Sequence, residues 1–175
     1  MIHIVLYHPE IPANTGNIMR TCMATHAKLH IIGPIPFSMD EKSLRRAGMD
    51  YIQSVDWTYY ENYEAFLKKY PSVRMYYITR YANQPYTSVD FSSLVEDVFL
   101  MFGRESTGID HSILCQHLDH CLRIPMAISA RSLNLSNSVA IVLYEVLRQQ
   151  NFYGLSTIET MKGEDFLIQE GKKHE

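Results

Sequence analysis

Two rhythms of apolar residues run through the chain. Residues 2–7, Ile-His-Ile-Val-Leu-Tyr, alternate little and read as a strand covered on both faces. His8-Pro-Glu-Ile-Pro-Ala13 reads as a stiff, non-helical connection, because a residue preceding proline is pushed out of the helical region. Asn14 to Arg20 then opens a helix whose apolar stripe is Ile18, Met19, Cys22 and Met23, with Arg20 pointing well away from it. Asn14 or Asn17 is a candidate cap, and Gly16 permits close backbone approach. Leu29–Ile32 is a second strand, closed by Gly33-Pro-Ile-Pro36. Strand, loop, helix and strand in this order make a βαβ unit, and a βαβ unit implies a parallel sheet.

The same reading predicts a short helix at Glu41–Ala47, a strand near Tyr51–Val55 and an amphipathic helix near Glu61–Lys69, ended by Pro71. Further strands are expected at Val73–Ile78, Asp97–Phe102 and Cys121–Ile124, with a turn-rich stretch at Ala82–Ser93. Val139, Val142, Leu143, Val146 and Leu147 mark a long helix running to about Gly154, with Ser136 or Asn134 as its cap. From Ser156 the chain turns polar and largely charged. Residues 1–155 therefore form one domain, and residues 156–175 a frayed tail.

Two loops concentrate chemistry. Ser129, Ser132, Asn134, Ser136, Asn137 and Ser138 crowd small hydrogen-bonding side chains between the last strand and the last helix. Taken alone, such a loop reads first as a well-capped turn between a strand and a core helix, and second as a set of backbone and side-chain contacts to a ligand. Gly103-Arg-Glu-Ser-Thr-Gly108 follows a strand directly and puts Glu105 at the carboxyl edge of the sheet, where ligands usually enter. Neither G-x-G-x-x-G after a strand nor G-x-x-x-x-G-K-[ST] occurs, so the common nucleotide loops lack their mechanics here. There is no G-x-S-x-G elbow for a serine nucleophile. His111, Cys115, His117, His120 and Cys121 fit no zinc spacing, so no metal is expected, and Cys22 falls on an apolar helix face as inert packing. Lys42, Arg45 and Arg46, with Tyr51, Tyr59, Tyr60 and Tyr63 downstream, suit an RNA backbone and its exposed bases; a solvated helix face explains the basic cluster equally well.

Composition narrows the setting. The apolar fraction is 46% and no run approaches a membrane span; the first residues are too short and uncharged for an export signal. Three cysteines without paired spacing point to reduced thiols in a cytoplasm. A net charge of −3 excludes bulk electrostatic binding of nucleic acid, so any RNA contact must be a local patch or a surface shared between subunits.

Three segments in order resemble the motifs of the SPOUT RNA 2′-O-methyltransferases: Asn14-Thr-Gly-Asn-Ile-Met-Arg20, Leu100-Met-Phe-Gly-Arg-Glu105 with Gly108, and Arg123-Ile-Pro-Met126 followed by Ser132-Leu-Asn-Leu-Ser-Asn137. Pro9-Glu-Ile-Pro-Ala-Asn-Thr-Gly-Asn17, Leu29-His-Ile-Ile32 and Leu44-Arg-Arg-Ala-Gly-Met-Asp-Tyr51 narrow the resemblance to the small enzymes that act on cytidine or uridine 34 of tRNA. The likeness runs from residue 1 to about residue 154, with modest departures at His8, Ala13, Arg104 and Ser106.

This resemblance implies an α/β fold with a mostly parallel sheet flanked by helices, its C-terminal part threaded into a trefoil knot, and a homodimer with the knot at its interface. It implies S-adenosyl-L-methionine as cofactor, S-adenosyl-L-homocysteine as product and no metal. By position, Ile78, Gly103, Ile124, Ser132, Leu133 and Asn134 are the expected cofactor pocket, while Asn14, Arg20 and Glu105 face the acceptor ribose. The implied partner is the anticodon loop of leucine-type tRNAs, gripped in part by Arg45 and Arg46, with no membrane and no DNA involved. The family proposal makes the Arg20 equivalent a general base. A guanidinium stays protonated in proteins, so we expect Arg20 instead to orient the ribose and its phosphate and to stabilise alkoxide charge. Two alternatives share the fold: a methyltransferase for another tRNA or rRNA position, and a non-catalytic RNA-binding module. The second should lack Arg20 or Glu105, and this chain keeps both.

Overall fold

The computed structural model describes residues 1–39 and 54–173. Its strands are β1 (Ile2–Tyr7), β2 (Lys28–Ile32), β3 (Trp57–Tyr60), β4 (Met75–Ile78), β5 (Gln84–Pro85), β6 (Val98–Phe102) and β7 (Cys121–Arg123). Among the described residues they form one seven-stranded sheet in the order β3-β2-β1-β6-β4-β7-β5, and every pairing of these strands is parallel. The expected fold class, a parallel sheet flanked by helices, is the one observed.

Every residue of β1 and β6 is buried, because both faces of the central strands are covered. On one face Ile4 and Leu6 pack with α1 (Pro12–Thr25), through Ile18, Met19 and Cys22, and with the long C-terminal helix. On the other, Val5, Tyr7, Phe99 and Met101 pack with Phe66 of α2 (Tyr63–Lys69) and Leu114 of α3 (His111–Leu114). The C-terminal helix, α4 (Leu135–Gln149), buries Leu135, Val139, Val142, Leu143, Val146 and Leu147. Each such side chain contributes about 1.5–3 kcal/mol, against about 1 kcal/mol for a helix cap, so packing rather than capping holds α4 in place. A polar pair lies inside this apolar frame. His3 of β1 and His30 of β2 are buried side by side, their Nδ1 and Nε2 atoms 2.9 Å apart, with His30 Nδ1 3.1 Å from the Tyr60 hydroxyl.

Several expectations shift. Pro12 and Ala13 belong to α1 rather than to a non-helical connection, with Pro12 at the first helical position, where its missing N–H costs nothing. Neither Asn14 nor Asn17 caps that helix: Ile11 occupies the cap position and no side chain caps there. The strand expected near Tyr51–Val55 falls mostly outside the described residues, and within them Val55 is a bend; the strand that pairs with β2 is β3, at Trp57–Tyr60. The predicted helix at Glu41–Ala47, with Lys42, Arg45 and Arg46, lies outside the described residues. β5, in the turn-rich stretch, was not expected. The long helix ends at Gln149, short of Gly154, and the tail carries a short helix, α5 (Phe166–Gly171), with no buried residue.

Candidate functional site

Strands β1, β6, β4 and β7 are consecutive in the sheet, and their carboxyl ends open on the same side. β1 lies where the strand order reverses, since β2 and β3 continue to one side of it and β6, β4, β7 and β5 to the other. In open α/β sheets ligands enter at such a switch point. A cavity of about 450 Å³ occupies this place, lined by Ile11 and Asn14 after β1, residues 78–81 after β4, residues 102–109 after β6, and Ile124, Met126 and residues 132–135 after β7.

All six positions matched to a cofactor pocket, Ile78, Gly103, Ile124, Ser132, Leu133 and Asn134, line this one cavity, and so do Asn14 and Glu105. Arg20 does not line it; it is exposed, six residues further along α1 than Asn14. Arg45 and Arg46 lie outside the described residues.

The turn after β6 explains its glycines. A Cβ on Gly103 would sit 2.1 Å from the Gly108 carbonyl carbon and 2.2 Å from the Ile109 nitrogen, so only glycine lets the turn close on itself. Gly108 has φ +78, a region other residues avoid, and Arg104 and Gly108 pair across the turn as an antiparallel bridge. The closed turn projects Glu105 toward the start of α1. Its Oε2 accepts from the Glu10 N–H (2.8 Å), and its Oε1 from the Ile11 N–H (3.3 Å) and Asn14 Nδ2 (2.9 Å). Glu10 answers in the other direction, accepting from the Ser106 N–H and hydroxyl at 2.9 and 2.8 Å.

From Glu105 a directional chain of amides crosses the site. A carboxylate can only accept, so Asn14 must turn its NH2 toward Glu105 and its oxygen away. That oxygen accepts from Asn134 Nδ2 at 2.9 Å, which in turn leaves Asn134 Oδ1 facing the start of α4. There it accepts from the Ser136 N–H (2.9 Å), the Asn137 N–H (3.4 Å) and the Ser136 hydroxyl (2.6 Å), making Asn134 the helix cap. Between the two residues named as possible caps, Asn134 holds the position. Three segments that are distant in sequence thus fix one another's orientation.

Sequence reasoning passed over the wall beneath this turn. The Tyr7 hydroxyl donates to Asp110 Oδ2 at 2.5 Å, and Arg104 Nη2 donates to Asp110 Oδ1 at 2.8 Å while its guanidinium lies over the Tyr7 ring. Burial, then the bond to Asp110, pushes the Tyr7 hydroxyl up to about 12, so it remains a donor at neutral pH. His8, at φ 52, stacks on Tyr7 with centroids 4.0 Å apart, and burial lowers its affinity for a proton. Thr79, Arg80 and Tyr81 were missed as well; they follow β4 with no motif to mark them. The histidines and cysteines between residues 111 and 121 are dispersed by packing. His117 stacks on Tyr77, His120 meets Tyr76, and Cys121 is buried with its thiol near the Leu114 and His117 carbonyls. Among the described residues they assemble no group of three or more metal-binding side chains.

Comparison with known proteins places this geometry. A Geobacillus stearothermophilus protein provisionally named as a tRNA (cytidine(34)-2′-O)-methyltransferase is 52% identical over 155 residues, covering 89% of this chain and 99% of its own. A solved structure concerned with the 2-OH methylation of C/U34 on tRNA superposes with a TM-score of 0.79 at 36% identity, covering 87% of this chain and 97% of that one. An S-adenosylmethionine-bound rRNA methyltransferase from Sinorhizobium meliloti superposes with a TM-score of 0.72 at 26% identity, over 84% of this chain and 56% of that one. The family described as SpoU rRNA methylase matches residues 1–144, and with those residues carrying both the sheet and the cavity, the chain belongs to the SpoU rRNA methylase family.

Proposed function

We propose that this protein transfers a methyl group from S-adenosyl-L-methionine to the 2′-hydroxyl of nucleotide 34, a cytidine or uridine, in the anticodon loop of tRNA. The observation that carries the reading is a cavity at the sheet's carboxyl edge, which gathers the polar chain Glu105–Asn14–Asn134 beside Ile78, Ile124 and Leu133. Its lining suits the cofactor. The three apolar side chains offer faces to an adenine ring, while the strand ends, Ser132 and Asn134 offer main-chain and side-chain groups to polar edges. A volume of about 450 Å³ also falls within the range of roughly 300–1,000 Å³ usual for such ligands.

When bound, S-adenosyl-L-methionine supplies an electrophilic methyl group on a sulfonium centre, so the chemistry as proposed asks for no metal. What remains for the chain is to hold the ribose and manage its charge. Glu105 already receives two backbone N–H groups and one amide, which makes it a positioning group for Asn14. Asn14 spends one N–H on Glu105 and has a second with which to hold a ribose oxygen. Arg20 lies roughly 9 Å further along the axis of α1, at the helical rise of 1.5 Å per residue. From there its guanidinium takes a phosphate flanking the ribose and stabilises charge developing on the attacking oxygen.

In this reading residues 1–155 are the catalytic unit, its C-terminal part threaded as a trefoil knot, and residues 156–175 an appendage. The protein acts in the cytoplasm as a homodimer. Exposed Tyr144 on α4, with Tyr153, Ile158 and Met161 just beyond it, supports such an association. Arg45 and Arg46 contribute phosphate contacts. Incubation with labelled S-adenosyl-L-methionine and unmodified tRNA, followed by mass mapping of nuclease fragments, tests the reading. A 2′-O-methyl at nucleotide 34 is expected; a methyl on a base, or on a ribose outside the anticodon loop, rejects the assignment. Arg20→Ala should lower turnover even at saturating tRNA and leave cofactor binding intact.

A further inference from the structure

The cavity has a second lip that the chain from Glu105 to Asn134 does not touch. Beyond Ile78, Thr79, Arg80 and Tyr81 continue along its edge. Tyr81 is 54% exposed, yet its position is fixed from several sides. Its main-chain N–H donates to Thr79 Oγ1 at 3.3 Å. The Arg80 guanidinium lies 4.9 Å from the ring centroid and donates to the hydroxyl at 3.0 Å. His111 meets the ring edge-on, with centroids 5.2 Å apart and planes at 87°. Arg80 is anchored in turn, because its carbonyl oxygen accepts from the Arg123 guanidinium.

This arrangement holds an aromatic plane still, backs it with a cation and leaves more than half of it to solvent. Such a surface suits a flat, electron-rich ring belonging to a larger anion. A small cofactor gains little from a side chain this open, since pockets for small ligands bury most of their occupant. A polynucleotide gains more, because its neighbouring residues extend past the cavity rim. The charges agree: the whole chain carries −3, but Arg80 and Arg123 stand together on this lip, while Asp110 nearby is already paired with Arg104.

We infer that Tyr81 and Arg80 form an RNA-binding step at the cavity mouth. The base of a nucleotide adjoining the methylated one stacks on the open face of Tyr81, and Arg80 holds an RNA phosphate. Stacking on an aromatic side chain tolerates any base, so this step adds affinity and registers the strand over the cavity without selecting a sequence. It rests on the proposed RNA substrate and adds a contact which that proposal did not contain.

The test is fluorescence anisotropy of end-labelled, unmodified tRNA with saturating S-adenosyl-L-homocysteine, alongside calorimetry of S-adenosyl-L-homocysteine alone. Tyr81→Ala should weaken tRNA binding roughly 5- to 150-fold, the equivalent of the ~1–3 kcal/mol that a stacked base contributes. Tyr81→Phe should stay within about twofold of the wild type, because the ring suffices for stacking. Arg80→Ala should reduce the slope of log affinity against log salt by about one. Calorimetry should return unchanged cofactor affinity in all three variants, which also verifies their folding. Unchanged tRNA affinity in Tyr81→Ala overturns the inference, as does a loss of cofactor affinity, which would make the pair a cofactor lid. Failure of tRNA binding in the wild type overturns it too. Mapping separates this claim from the proposed function. Methylation of nucleotide 34 by Tyr81→Ala with undiminished kcat/KM rejects the stacking step alone, whereas Tyr81-dependent binding with a methyl elsewhere rejects the position alone.

Discussion

Acidification should unfold this protein through His3 and His30. Both rings are buried, stacked on Phe99 and meeting Tyr70 edge-on, with Phe66 edge-on to His30, and burial is the main cause lowering His3 to about 4 and His30 to about 3. The ordinary value for an unfolded histidine is about 6.5. Because both folded values are depressed, the unfolded chain binds more protons than the folded one below pH 6.5, and stability falls as the pH falls. The loss begins near pH 6.5 and continues until the folded rings themselves take up protons, near pH 4 and 3. At pH 5 the folded rings are still neutral while unfolded histidines are almost fully charged. Each ring then costs about 2 kcal/mol, and the pair about 4 kcal/mol relative to pH 7.5. Against a total stability of about 5–15 kcal/mol, that is a large share. Urea unfolding followed by the fluorescence of Trp57, the only tryptophan, measures it directly. The control is the double variant His3→Phe/His30→Phe. It removes the His30 contact of the Tyr60 hydroxyl, a cost of about 1 kcal/mol, but that cost does not vary over this pH range. Stability of the wild type should therefore drop about 4 kcal/mol more steeply than that of the variant between pH 7.5 and 5. Parallel curves would refute the reasoning.

Three further outcomes follow from the site. Gly103→Ala should destabilise the protein by about 1–3 kcal/mol in denaturant titration, because its Cβ would collide with backbone at Gly108 and Ile109, and calorimetry should find cofactor binding weakened by the opened turn. Asn134→Ala should lower stability by about 1 kcal/mol through loss of the α4 cap, with far-ultraviolet circular dichroism showing the helix retained by its buried face. Glu105→Gln cannot accept at both of its termini, so one donor at the start of α1 is left facing an NH2 group; a loss of about 2 kcal/mol on thermal unfolding and reduced turnover are expected, and unchanged values for both would show that the amide chain is dispensable.

The central sheet was legible because strands covered on both faces leave unbroken apolar runs. Val98–Phe102 carries that signature whole, and Ile2–Tyr7 and Lys28–Ile32 carry it broken only at His3, Lys28 and His30. The edges were not. β3 is Trp-Thr-Tyr-Tyr, with Tyr59 largely exposed, so its pattern resembles a polar-aromatic turn more than a buried strand. β5 is two residues long, includes a proline and exists only because β7 lies beside it. The start of α1 was misread because Pro12 was treated as a barrier to helix, whereas at the first helical position it is compatible. At the site, the six positions proposed for the cofactor and the trio proposed to face the ribose came from resemblance. The physical relation among Glu105, Asn14 and Asn134 has no periodicity to announce it, since it joins side chains 91 and 120 residues apart. Tyr81 and Arg80 left no trace either, because nothing in a local pattern says that β4 will end beside β7.

Those same separations govern when the site can exist during synthesis. A nascent chain that has reached Gly103 already holds β1, β6 and α1, yet the partners of Asn14 are Glu105 and Asn134, and the last of these emerges 120 residues after Asn14 itself. Elongation at roughly 5–20 residues per second leaves an interval of seconds in which the amino-terminal half is present and its amides unmatched. During that interval the amides that later line the cavity are hydrated like any others. Prematurely terminated products that stop before residue 134 lack Asn134 and the cap of α4, so they cannot hold the amide chain in place or compete with finished protein for its ligands.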